Sequence, residues 1–210
     1  MLAQIIGAAI AASLPTIAFA ELSNDLLFGA GLRSRPAYDG SAWQQTEPVP
    51  VLRYFGKPWF ARSTQGVLEG GVRMEVAPGL YGGAQLAYEP GRRAGDSDFL
   101  AAHGMPDIGH GASAGLQLEW DHALGPMPVT VLTRLREEID AKRGAQVDIR
   151  LSAGIFHSGP VSAGVFAQTL WADARSAGTR YGITAAQAAT SGLSAFAPGS
   201  GWVSASGGLL

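Results

Sequence analysis

The stretch Ala145-Gln146-Val147-Asp148-Ile149-Arg150-Leu151-Ser152-Ala153-Gly154-Ile155-Phe156 decides the fold. Its odd positions carry Val147, Ile149, Leu151, Ala153 and Ile155, and its even positions carry Gln146, Asp148, Arg150, Ser152 and Gly154. Successive side chains of a β-strand point to opposite faces, so this segment has one apolar and one polar face. The same alternation recurs outward from it. In 127–136, Val129, Val131, Thr133 and Leu135 oppose Thr130, Arg134 and Arg136. In 111–121, Ala112, Ala114, Leu116, Leu118 and Trp120 oppose Ser113, Gln117, Glu119 and Asp121. In 67–76, Leu68, Val72, Met74 and Val76 oppose Glu69, Arg73 and Glu75, and in 161–172, Val161, Val165, Ala167 and Trp171 oppose Ser162 and Gln168. Weaker versions cover 25–34, 48–55, 58–64, 80–89 and 198–210. The periodicity predicts an all-β chain of ten strands, with no amphipathic helix of useful length.

Two architectures share this pattern. A soluble sandwich turns its apolar face into a core. A transmembrane antiparallel β-barrel inverts the sense, with apolar side chains toward lipid and polar ones toward the lumen. The polar face carries arginine as often as serine or threonine, mixed with many glycines, which suits a lumen filled with ion pairs and water. Tyr54, Trp59, Trp120 and Trp171 fall at strand ends, where aromatic girdles mark the membrane interfaces. Parity supports the barrel separately. The long polar segments 35–47, 90–108 and 173–197 must emerge on one side, which requires an even number of strands between them. Residues 48–89 and 109–172 each divide into four strands of bilayer-spanning length. The short connections 55–57, 77–79, 122–126 and 158–160 then share the opposite side, expected to be periplasmic.

Composition agrees. Charged residues are 15% of the 210, well below the ~25% usual in soluble domains. The net charge of −2 offers no basic field for nucleic acid. The absence of cysteine excludes disulfide scaffolds, thiolate metal sites and cysteine nucleophiles. Residues 2–20 are uncharged, run apolar from Ile5 to Leu14, break at Pro15 and end in Ala18-Phe19-Ala20. This reads as a signal peptide, 1–20, cleaved after Ala20, leaving 21–210 as an exported outer-membrane barrel domain in contact with lipid.

Motifs for catalysis do not survive their context. Gly111-Ala112-Ser113-Ala114-Gly115 fits the G-x-S-x-G nucleophile elbow, but that motif needs a helix after the serine and here runs into an alternating strand. His103 and His110 share a loop with Asp107 and read as solvated side chains rather than metal ligands. No enzyme, cofactor or metal is expected. The informative set is the lumenal one: Arg33, Arg53, Arg62, Arg73, Arg134, Arg136 and Arg150 against Glu69, Glu75, Glu89, Glu119 and Asp148. An arginine on the lipid face at mid-depth costs ~2–4 kcal/mol, whereas inside, opposite signs can pair. The hairpin near Ala141 and Lys142 brings Asp148 to Arg134 or Arg136. Arg73, Glu75, Glu119, Arg134, Arg136, Asp148 and Arg150 are therefore the candidate charge network, read as filling and stiffening the lumen.

Further segments carry a family likeness. Pro36-Ala37-Tyr38-Asp39-Gly40-Ser41, Pro48-Val49-Pro50-Val51-Leu52 with Tyr54, and Tyr88-Glu89-Pro90-Gly91-Arg92 before Asp96-Ser97-Asp98 all resemble motifs of one family. Most specific is Tyr181-Gly182-Ile183-Thr184-Ala185-Ala186-Gln187-Ala188-Ala189-Thr190-Ser191-Gly192-Leu193. Together they resemble the MltA-interacting protein / OmpV family of Gram-negative outer-membrane proteins. The resemblance marks Pro36, Tyr38, Gly40, Ser41, Tyr181, Gly182, Thr184, Gln187, Ser191 and Gly192 as loop-motif positions. It implies about twelve strands, so ten are expected here with the last strands missing. It also implies a non-enzymatic anchor or scaffold for murein hydrolase or synthase complexes. The residues alone leave open a small-solute pore with a net-basic lumen, or a surface-recognition barrel using its long loops.

Overall fold

The computed structural model describes residues 9–10, 25–38, 41, 43–64, 66–158 and 161–209. All strands lie in one sheet, each pairing antiparallel with its sequence neighbour. They are β1 (Ala9–Ile10), β2 (Asp25–Pro36), β3 (Gln44–Phe55), β4 (Trp59–Thr64), β5 (Val67–Ala77), β6 (Leu80–Glu89), β7 (Gly111–Leu124), β8 (Met127–Glu138), β9 (Ala145–Ser158), β10 (Val161–Ala172) and β11 (Gly201–Leu209). The ten predicted strands are β2 to β11. The two-residue β1 adds to the outer edge of β2, at Gly31 and Ala30. The predicted signal peptide otherwise lies outside the described residues.

The sheet is a curled half-barrel with an inverted distribution of side chains. On its convex face a belt runs in register from Ala84 through Leu116, Leu135 and Val147 to Trp171. Large apolar side chains stay exposed there, Leu116 at 62% and Leu86 at 62% among them. Among the described residues, the largest fully buried side chains are instead Arg134, Glu69 and Asp148. Charged residues are almost never fully buried in a water-soluble fold, so the sandwich reading falls and the barrel reading stands. Exposed aromatics sit near both ends of the belt: Tyr88, Trp43 and Trp202 at one, Trp59, Trp120 and Phe156 at the other. Because Trp120 pairs with Leu80, Tyr88 and Trp120 are eight residues apart in register, about 26 Å along the strand. At a tilt of ~40° that becomes about 20 Å, close to the ~25 Å apolar band of membrane barrels.

The strand count places connections 37–43, 65–66, 90–110, 139–144 and 173–200 at one end, and 56–58, 78–79, 125–126 and 159–160 at the other. The three long polar segments therefore do emerge together. Two tight turns hold glycine at positive φ, Gly79 at 71° and Gly125 at 63°, a conformation that costs other residues. Two boundaries differ from the sequence reading. Segment 35–47 is strand at both ends, because β2 continues to Pro36 and β3 begins at Gln44. Its polar composition suggested a loop throughout, but a strand end beyond the apolar belt needs no apolar face. Its cross-strand charges hold it instead: Arg33 pairs with Glu47, and Arg35 Nε donates to Glu47 at 3.0 Å. The long loops also carry three short helices, α1 (Asp98–Ala102), α2 (Ala174–Tyr181) and α3 (Ala185–Ser191).

On the concave face, three glycines let neighbouring backbone come close. A Cβ on Gly71 would lie 2.1 Å from the carbonyl oxygen of Ala84, one on Gly83 2.4 Å from that of Val72, and one on Gly115 2.1 Å from that of Leu135. Glycine alone permits the neighbouring strand to approach this way, and it marks bends in barrels. The curl of the sheet brings strands that are not neighbours within side-chain reach.

Candidate functional site

Strand register makes the first contacts. Arg62 stands directly opposite Glu69 across β4 and β5, and Arg134 opposite Asp148 across β8 and β9. Arg62 Nε donates to Glu69 at 2.9 Å. Arg134 donates to Asp148 from Nε at 3.0 Å and from Nη2 at 2.7 Å. The curl then links pairs across the concavity. Arg134 Nη1 donates to the other Glu69 oxygen, spanning from β8 to β5. Arg62 Nη1 donates to Glu119 at 2.7 Å, spanning from β4 to β7, and Arg73 Nη1 donates to the second Glu119 oxygen at 2.6 Å. Arg136 approaches Asp148 at 3.5 Å and donates to Glu89 at 2.7 Å. Arg180 of α2 donates to the remaining Glu89 oxygen at 2.8 Å.

The result is one chain of alternating charge: Arg73, Glu119, Arg62, Glu69, Arg134, Asp148, Arg136, Glu89, Arg180. It climbs the concave face from near the tight turns to the long loops. Each carboxylate is shared by two guanidiniums. Charges this buried persist only when paired and hydrogen-bonded. Gln117 accepts from Arg62 Nη2 at 2.6 Å, and Gln146 donates to Ser176 at 2.9 Å, which fixes α2 over the mouth of the concavity.

Of the sequence candidates, Arg73, Glu119, Arg134, Arg136 and Asp148 belong to this chain. Glu75 and Arg150 do not. Glu75 lies exposed at the tight-turn end, where its Oε1 accepts the N–H of Gly79 at 2.9 Å. Arg150 lies over the Phe166 ring, 3.9 Å from its centroid, and donates to Gln168 at 3.2 Å. Arg62, Glu69 and Glu89 belonged to the wider lumenal set. Sequence reasoning missed Arg180 because it sits in a loop helix, where no strand parity applies. It missed Glu47 and Arg35 by treating 35–47 as loop.

The loop-motif residues have local structural roles. Tyr38 stacks on Phe99 with ring centroids 5.7 Å apart, and Ser41 Oγ accepts the N–H of Trp43 at 3.0 Å. Pro36 ends β2, and Gly40 lies outside the described residues. Tyr181 ends α2, and Gly182 follows it so closely that a Cβ would lie 2.3 Å from the Gly178 oxygen. Thr184 and Gln187 form a reciprocal capping box on α3: Thr184 Oγ1 accepts the Gln187 N–H at 3.2 Å, and Gln187 Oε1 accepts the Thr184 N–H at 2.8 Å. Ser191 Oγ accepts the N–H of Leu193 at 3.2 Å, and Gly192 ends α3 at φ 71°, the left-handed cap.

Above the charge chain lies a cavity of about 260 Å³ at the long-loop end. Residues of β2 and of β11 both line it, so the first long strand and the last flank one space. Arg33, Arg35, Arg92, Arg134, Arg136, Arg143 and Arg180 face it, against Glu89 and Glu138. Arg92 Nη1 donates to the Arg180 carbonyl at 3.3 Å, and Arg143 Nη1 to the Gly109 carbonyl at 3.0 Å, tying three loops together over the cavity. His103 lies elsewhere, bonded to the Phe99 carbonyl at 2.8 Å, and Asp107 accepts the N–H of Ala94 at 2.7 Å. Among the described residues, no group of three His, Asp or Glu side chains could hold a metal ion. Ser113 of the G-x-S-x-G stretch is buried within β7, away from any elbow.

One family model, MltA-interacting protein MipA, matches residues 28–210, which is every described strand except the short β1 and the start of β2. No curated protein and no solved structure matches the chain.

Proposed function

Because the chain belongs to the MipA family of MltA-interacting proteins, we propose that it is a non-enzymatic outer-membrane barrel that anchors a murein-remodelling enzyme, MltA being the partner the family name records. The chain of buried ion pairs carries this reading. A catalytic carboxylate must be free to exchange a proton or meet a substrate. Here Glu69, Glu89, Glu119 and Asp148 are each clamped by two arginines. Fixed charges across the concave face make a stiff plug, which suits a scaffold better than a wide conduit. The inverted faces and the aromatic rows support residence in a membrane.

In such a barrel the tight turns face the periplasm, so the docking rim is the end holding Lys57, Glu75 and His122. These turns are too short to wrap a partner, and contact has to be with the rim itself. The test is chemical cross-linking in envelopes followed by purification of the barrel. MltA is expected with the wild-type chain and with a loop variant such as Gln187→Ala, and lost with Lys57→Glu combined with Glu75→Lys. Equal recovery from the rim variant, or none from the wild type, overturns the anchor reading.

A further inference from the structure

We propose that the cavity at the long-loop end is a binding site for a phosphate-bearing solute, a function separate from the anchoring role. The first observation is charge. Seven arginines line the cavity against two glutamates. Among the described residues, Glu47, Glu69 and Asp148 also bond to lining arginines. The ion-pair chain beneath holds five arginines and four carboxylates, and it ends at the mouth on Arg180. There Glu89 serves both Arg136 and Arg180. Arg143 bonds to the backbone carbonyls of Gly109 and His110 at 3.0 and 3.3 Å, with Glu138 as the carboxylate beside it.

The second observation is an orphaned donor. Arg136 is more than nine-tenths buried and lines the cavity, and its Nε–H has no acceptor among the described residues. Its two Nη groups already serve Glu89 and Asp148. A buried guanidinium N–H without an acceptor costs free energy that an oxyanion would recover. Guanidiniums match phosphate oxygens in pairs, and several arginines on different strands and loops suit a tetrahedral anion with more than two oxygens. A cavity of about 260 Å³ has room for a phosphate with a small organic group.

The experiment uses the full chain refolded in detergent, with heat-modifiable mobility as the check on folding. Titrations use inorganic phosphate, a hexose phosphate and the unphosphorylated hexose, followed by calorimetry and by phosphorus NMR. A parallel arm uses vesicles containing a phosphorylated lipid. Saturable binding of the two phosphates and not of the hexose is expected. Arg143→Gln and Arg35→Gln should each raise the phosphate Kd about tenfold, as loss of one charge-assisted contact does. Arg93→Gln, an exposed arginine of the same loops that does not line the cavity, should leave it unchanged. Competition between free phosphate and the hexose phosphate assigns a soluble ligand. Binding to the vesicles alone, lost in Arg143→Gln, assigns the same phosphate site to a lipid headgroup. No saturable binding in either arm, or binding unchanged in the Arg35 and Arg143 variants, overturns the proposal.

Discussion

Replacing Arg134 by methionine tests whether the buried charges hold the curled sheet together. Its guanidinium bonds to both oxygens of Asp148 and to Glu69. All three side chains are buried, with at most 2% exposure. After the substitution Glu69 keeps Arg62 at 2.9 Å, but Asp148 keeps only Arg136, at 3.5 Å. Removing one partner of a buried pair typically costs ~3–5 kcal/mol, most of it from the charge left behind. Asp148 is the poorly compensated partner, so a loss of about 4 kcal/mol is expected. Urea unfolding in lipid vesicles, followed by tryptophan fluorescence, would read it. With a slope of ~2 kcal/mol/M the midpoint falls by about 2 M. The double variant Arg134→Met with Asp148→Leu removes the stranded carboxylate and should recover about 2 kcal/mol. A single variant within ~1 kcal/mol of wild type, or a double variant as costly as the two singles added, would refute the reasoning.

Three further comparisons probe the facing of the sheet, its close-packed backbone and the loop helix. Ile149→Arg puts a charge on the convex apolar belt and should lose ~2–4 kcal/mol, while Ser152→Arg on the concave face is tolerated; equal yields of heat-modifiable protein would contradict the facing. Gly115→Ala drives a Cβ into the Leu135 carbonyl and should abolish assembly, whereas Gly82→Ala meets only ordinary contact at 3.5 Å and should stay within ~0.5 kcal/mol; vesicle insertion assays would compare them. Asp173→Ala removes the N-cap of α2, whose carboxylate accepts the Ser176 N–H at 2.7 Å, and should cost that helix ~1 kcal/mol in amide exchange. Burial pushes the Asp173 carboxyl up, but backbone N–H groups of Ser176 and Ala145 and the nearby Arg175 hold it below its ordinary value. Its contribution is therefore full above about pH 4, the unfolded value, and is lost as pH falls through the lower folded pKa. The gap between variant and wild type should close in strong acid, and a gap that persists there would count against the capping charge.

What the sequence could reveal divides along the reach of its periodicity. Period-two alternation locates a strand and its faces, so β5 to β10 and the inversion of polar and apolar sides were readable from one chain. Direct cross-strand pairs were readable too, because a short hairpin fixes register, and Asp148 meets Arg134 as its turn requires. The links from Glu69 to Arg134 and from Arg62 to Glu119 were not readable. They join strands three apart, and their geometry depends on the curl of the whole sheet, whose backbone comes close at Gly71, Gly83 and Gly115. The glycine excess was visible as composition but carried no address until neighbouring carbonyls were seen against those three positions.

Glu69 and Glu75 show the same limit from the other side. They lie on one strand and one face, six residues apart, and no local pattern separates them. Burial separates them: Glu69 is 1% exposed between two arginines, while Glu75 is exposed at the tight-turn rim and caps a turn. Alternation fixes which way a side chain points, but not how far it lies from water, and that distance decides whether a carboxylate must be paired. The loop motif runs the opposite way. Thr184 with Gln187, and Gly192 after Ser191, can be read by helix-capping rules alone as the start and stop of α3. The same loop carries Arg180 just upstream on α2, which completes the charge chain.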